Sequence, residues 1–189
     1  MQLLAALLAI IATGPSAQLG PPHRLTARRM RPRPGAVSRG TAVKQADLFT
    51  TRVFANALVG FALADADSAQ CPARSLDGGR TWRIDGPQVH INAADAAEGV
   101  GFVGVAGPRT FFAYGSEAVD VTTNGGRTWW ETFLGELVVA VVPGPRNELV
   151  VYVQQQLDPN SSSLAAATWQ YISRDGGRHW VYSSALGGL

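Results

Sequence analysis

The chain writes nearly the same eight residues three times: "SLDGGRTW" at residues 75–82, "TTNGGRTW" at 122–129 and "SRDGGRHW" at 173–180. Their tryptophans, Trp82, Trp129 and Trp180, lie 47 and 51 residues apart. A period of that size marks an architecture built from one supersecondary unit, stacked so that neighbours bury each other's apolar faces. The unit reads as strand, not helix. Residues 100–106, 110–115, 118–123 and 127–133 are short, rich in β-branched and aromatic side chains, and separated by Gly-Pro or Gly-Gly. The same order recurs at 137–142, 148–153, 167–173 and 178–184, and less clearly at 48–54, 58–64, 71–75 and 80–85. Four strands in about 50 residues is the pattern of a propeller blade. The expected fold is all-β, a β-propeller-like array of about three four-stranded antiparallel blades, near residues 47–86, 99–134 and 135–185. Closed propellers have about four to eight blades. A partial propeller is therefore expected, with self-association as one way to complete it.

The repeated string joins the third strand of each unit to the fourth, and its residue types have separate tasks. The Asp or Asn accepts hydrogen bonds from nearby backbone N–H groups and folds the turn over itself. The glycine pair supplies positive φ. The Ser or Thr two residues before the acid adds a local bond, and the Trp offers a large apolar face for packing between units. Asn124 stands where the other copies have Asp77 and Asp175. That substitution suits a backbone acceptor. A calcium loop needs several carboxylates in close order, and each copy has at most one. No metal or cofactor is expected.

Ser75, Asp77, Gly79, Thr81 and Trp82 resemble the Asp-box, or bacterial neuraminidase repeat, in full. Thr122, Asn124, Gly126, Thr128 and Trp129 resemble it with Thr for Ser and Asn for Asp, and Ser173, Asp175, Gly177, His179 and Trp180 with His for Thr. The resemblance covers residues 47–189 and implies a propeller fold with these residues as structural turns. It leaves activity open, because such boxes recur in sialidases, xyloglucanase-type hydrolases, sortilin-type receptors and photosystem II assembly factors. In propeller enzymes of this kind the active site lies on the face opposite the boxes.

Charge divides the chain. Residues 18–46 hold six Arg, Lys44 and no acid, a net +7, whereas residues 47–189 carry a net −5. An acidic body gives no footprint for nucleic acid. The basic stretch is rich in Pro and Arg with little apolar periodicity, and reads as a disordered linker. Before it, residues 3–12 ("LLAALLAIIA") form an apolar run too short to span a bilayer. It fits a signal-peptide core within residues 1–17, although no Lys or Arg precedes it. Export to the periplasm, cell envelope or medium is expected. A start at Met30 would instead leave the protein cytoplasmic. No transmembrane helix is expected.

The opposite-face loops supply acids but no arginine. A sialidase-type clamp needs guanidinium groups converging on a carboxylate, and the Phe-Arg-Ile-Pro segment of sialidases is absent. A glycosidase pair remains conceivable from Asp65 or Asp67 with Glu98 or Glu117. Residues 99–104 match a dinucleotide fingerprint as a string but lead into no helix. The three His, His23, His90 and His179, show no zinc spacing. Cys71 reads as a small buried residue. The preferred reading is an exported, non-catalytic module that presents loops 85–99 and 154–165 to a protein or glycan partner on the face opposite the boxes. The alternatives are a glycoside hydrolase or its remnant, and an envelope or photosystem-type assembly factor.

Overall fold

The computed structural model describes residues 21–48, 50–66, 69–89, 102–115, 117–154 and 167–186. Among them are fifteen strands, one 3-10 turn at Gln45–Asp47 and no α-helix. No helix is long and apolar enough to cross a membrane among these residues. An N-terminal strap carries β1 (Arg24–Thr26), β2 (Arg28–Arg29) and β3 (Ala42–Val43). Three meanders follow. The first holds β4 (Val53–Phe54), β5 (Gly60–Ala66), β6 (Ala69–Ser75) and β7 (Trp82–Ile84). The second holds β8 (Phe102–Gly107), β9 (Thr110–Gly115), β10 (Ala118–Thr122) and β11 (Trp130–Phe133). The third holds β12 (Leu137–Pro143), β13 (Leu149–Gln154), β14 (Thr168–Ser173) and β15 (His179–Leu186).

Each meander is an antiparallel sheet of five strands, one more than expected, because the strap supplies the fifth. The orders are β3-β7-β6-β5-β4, β2-β11-β10-β9-β8 and β1-β15-β14-β13-β12. The strap thus runs along the outer edge of the third sheet, then the second, then the first. Backbone bonds fasten it between strands: Ala27 N donates to Arg178 O at 2.8 Å, and Met30 N to Trp129 O at 2.9 Å. The disordered linker expected at 18–46 is therefore corrected for its described part. The strap was hidden because it docks through its backbone, leaving Arg24, Arg28 and Arg29 exposed. Binding by main-chain pairing needs no apolar side-chain pattern.

The core lies between the sheets. Side chains alternate along a strand, so β9 serves both neighbours. Phe111 and Ala113 join Phe61, Leu63 and Trp129 in the cluster between the first and second sheets. Phe112 joins Val119, Val121, Val138, Val151 and Trp180 between the second and third. A strand covered on both faces needs continuous apolar sequence, and "TFFAY" provides it. In the third sheet burial alternates along β13 because, among the described residues, only one face is covered by another sheet: Leu149, Val151 and Val153 are buried, and Val150, Tyr152 and Gln154 are half-buried. At the other end, Val37, Val43 and Leu48 pack on the face of the first sheet that carries Trp82.

Ala27→Pro removes the N–H that ties the strap to Arg178 O. The expected outcome is a loss of roughly 1–3 kcal/mol, with faster amide exchange along β15 and β11. Unchanged exchange on those outer strands would show that the strap is not held there.

Candidate functional site

The three repeated turns share one geometry. In the first, Ser75 Oγ donates to Asp77 Oδ1 at 2.8 Å and accepts from Gly79 N at 2.8 Å. Asp77 then accepts from Thr81 N at 2.9 Å and from Thr81 Oγ1 at 2.6 Å. In the second, Thr122 Oγ1 donates to Asn124 Oδ1 at 3.1 Å and accepts from Gly126 N at 3.0 Å, and Thr128 N donates to Asn124 Oδ1 at 2.9 Å. In the third, Ser173 Oγ and His179 N both donate to Asp175 Oδ1, at 2.9 and 3.0 Å, while His179 Nδ1 lies 2.6 Å from Oδ2. His179 thus takes the place of Thr81. The glycine pairs all have positive φ, from 69° at Gly125 to 86° at Gly79 and Gly177, the region that side chains avoid.

These turns project Trp82, Trp129 and Trp180 into the interior, each at most 1% exposed. Trp129 stacks on Phe61 of the first sheet, centroids 5.6 Å apart, and its indole N–H donates to Asp85 O at 3.4 Å. Trp180 Nε1 donates to Thr132 Oγ1 of the second sheet at 2.9 Å. Each reaches back to the preceding sheet. Trp82 has no preceding sheet among the described residues, and its indole donates to Gly79 O of its own turn at 3.0 Å.

Asp85 is where strap and sheets meet. Its carboxylate accepts from Arg39 Nε at 3.0 Å and Nη2 at 2.6 Å, and pairs with Arg74 Nε at 3.0 Å. A side chain at Gly126 would clash with that carboxylate. Burial pushes the Asp85 carboxyl up, against the pull of both arginines. Asp85, the first residue of the expected contact loop 85–99, is buried beneath the second turn. Asp120 and Glu131 are a second buried group. They are cross-strand neighbours on β10 and β11, and Arg28 Nε on β2 donates to Glu131 Oε2.

Of the candidate catalytic acids, Asp65 and Glu117 are among the described residues, and they stand on different sheets. Asp65 lines a shallow cavity of about 280 Å³ with Asp47, beside Thr41 and Val43. Glu117 lies at the β9–β10 turn of the next sheet, and its carbonyl accepts from Leu134 N at 2.7 Å. Asp67 and Glu98 lie outside the described residues, as does loop 85–99 beyond Val89 and loop 154–165 beyond Gln154. Cys71 is buried. Among the described residues no three His, Cys, Asp or Glu are grouped to hold a metal ion.

Two cavities flank Arg39. One of about 250 Å³ is lined by Arg39, Arg74, Arg83 and Asp85. The other, about 370 Å³, lies between the strap and the second turn. The arginines that gather in this chain are thus at the strap and not among the opposite-face loops. Sequence reasoning missed the Arg39–Asp85 and Arg28–Glu131 pairs because both arginines come from a stretch read as linker.

No family model matches the chain, and no curated protein or solved structure is significantly similar to it. The fold class rests on the chain's own geometry: an all-β array of three antiparallel five-stranded sheets.

The turns make acid sensitivity local. Bonds from Thr81 Oγ1 and N, then Ser75, hold the Asp77 carboxyl at about 2. At Asp175 burial pushes upward, but the bonds from the His179 ring and N–H outweigh it and the carboxyl is lowered. A lowered folded pKa adds stability that is present above the ordinary carboxylate range, near 4, and is lost as pH falls toward 2. Asp77→Asn imitates Asn124 and should keep the fold at pH 7 while flattening the decline between about pH 4 and 2. Urea unfolding across that range checks this. An unaltered acid limb in Asp77→Asn would remove Asp77 from the explanation.

Proposed function

We propose that the chain is an exported, non-catalytic Asp-box module of propeller-like architecture that binds a protein or glycan partner at the end of the sheets opposite the repeated turns. The observation that carries this reading is the exposed aromatic surface there. The β8–β9 turn lies at the Asp-box end, because Arg109 O accepts from Gly125 N at 2.9 Å. Phe102, at the start of β8, is therefore at the opposite end, as are Phe133 at the end of β11 and Leu137 at the start of β12. Phe102 is 54% exposed and stacked on Tyr114 with centroids 5.2 Å apart; Phe133 is 63% exposed. Rigid exposed aromatics suit protein hot spots and the apolar faces of sugars alike. Catalysis is disfavoured because Asp65 and Glu117 stand on different sheets, and buried Asp85 and Glu131 are tied to arginines.

The test is retention on a glycan array and capture of partners from a periplasmic extract. Phe102→Ala with Phe133→Ala should weaken retention at least about tenfold while leaving unfolding nearly unchanged, as exposed positions do. Glycan hydrolysis by the purified chain, abolished by Asp65→Ala or Glu117→Ala, would replace this reading with the glycosidase.

A second reading, completion by a second copy, is supported by the open face of the third sheet. Val142, Val150, Ile172 and Val181 form one cross-strand row on it. Val142 is 47% and Val181 50% exposed. The matching face of the second sheet, with Phe112 and Val121, is covered by the third. Strap residues already cover the far face of the first sheet, so head-to-tail addition is blocked and a two-fold pairing of open faces remains. Light scattering should give a dimer for the full chain and a monomer for Ile172→Asp. A folded monomer at tens of micromolar, on the order expected for weak association, would overturn it.

A further inference from the structure

The strap crosses two seams between neighbouring sheets, and it uses very different lengths to do so. From the third sheet to the second it needs one residue, Ala27, between β1 and β2. From the second to the first it uses residues 30–41, between β2 and β3. Both steps join the outer strands of adjacent copies of one repeat, so reach alone does not call for the longer crossing. The surplus arches outward and, with Gly86 and Pro87 and the second turn, walls the cavity of about 370 Å³.

The lining has a consistent chemistry. Arg29 and Arg39 come from the strap and Arg127 from the second turn, and no Asp or Glu lines the cavity. Arg39 is engaged by Asp85. Arg29 and Arg127 are exposed and have no acidic partner among the described residues. Met30, Val37, Pro87 and Trp129 supply apolar walls, and Ser38 and Thr128 add hydroxyls. Two unpaired guanidinium forks over an apolar wall suit a planar or tetrahedral oxyanion on an apolar body. The volume falls in the range of small-molecule sites.

We propose that this cavity binds a small organic anion, its carboxylate or phosphate head between Arg29 and Arg127 and its ring or chain against Met30, Val37, Pro87 and Trp129. The ligand would bridge strap and second turn. The site lies away from the exposed aromatics of the opposite end, and it stands or falls independently of the partner-binding reading.

The experiment titrates the full chain with benzoate, phenyl phosphate and uncharged benzamide, following the indole N–H signals of the tryptophans by NMR. The Trp129 signal should shift saturably with the anions, while those of Trp82 and Trp180 stay in place and benzamide has no effect. The tighter of the two anions identifies the head group. Arg127→Ala and Arg29→Ala should each weaken binding at least about tenfold, the effect of losing one charge-assisted contact. Arg80→Ala, at the matching position of the first turn, should leave affinity unchanged and so separates a binding role from a general role of this arginine in the turn. No saturable shift with either anion, equal binding of benzamide, unchanged affinity in either cavity variant, or an equal loss in Arg80→Ala would each overturn the proposal. Exposed arginines are safe to replace, and thermal unfolding of each variant verifies that the fold is kept.

Discussion

A tryptophan thrown back onto the preceding sheet is the contact on which the rest of this structure depends. The turn before it is closed by its own side chains, so the indole leaves in a set direction. Trp129 then meets Phe61 and the Asp85 carbonyl, and Trp180 meets Val121 and the Thr132 hydroxyl. Burying such a ring contributes roughly 4–6 kcal/mol before entropy is counted. The glycine pair makes the approach possible: a Cβ at Gly177 would stand 2.7 Å from Val121 Cγ2. One turn therefore sets both the local hairpin and the spacing of the sheets.

The strap solves a different problem, the open outer edge. Each meander ends in a strand with unpaired backbone groups, and β1, β2 and β3 pair with them in turn. Charge supports the docking, since the basic strap lies on an acidic body. Arg28 reaches Glu131 and Arg39 reaches Asp85, both buried acids. Removing one partner of such a pair is more costly than the pair itself is stabilising. The strap is thus tied to the interior at two points, and its longer arch between them encloses the arginine-lined cavity.

Much of the sheet content was legible in the sequence, because strand signals are local. The segment expected at 110–115 is β9 itself, and β10 is that expected at 118–123 less its last residue. The segment at 48–54 contracts to Val53–Phe54, with Leu48 making only an isolated bridge to Ala64. The site was much less legible. Asp120 and Glu131 sit in alternating strand sequence, where a polar residue reads as solvent-facing. Both are buried because the second sheet is covered on both faces. Asp85 follows a strand end and reads as a loop acid until Arg39, 46 residues away, is seen to hold it. The repeat already placed Asp65 and Glu117 on different units, so pairing them depended on how the ends of two sheets approach each other, which no local pattern encodes.

By itself the sequence determined the turns and the beat of the array. Their hydrogen bonds span two to four residues, and their positive φ angles belong to glycine wherever it stands, so no distant contact was needed. Tertiary structure decided what lies on the edges and between the sheets. It turned a Pro- and Arg-rich stretch into the fifth strand of every sheet, buried three acids, left one face of the last sheet uncovered by any described sheet and walled a cavity with Arg29 and Arg127, which lie far apart in the sequence. Those outcomes depend on backbone edges and long-range ion pairs, which bring together residues that share no local pattern.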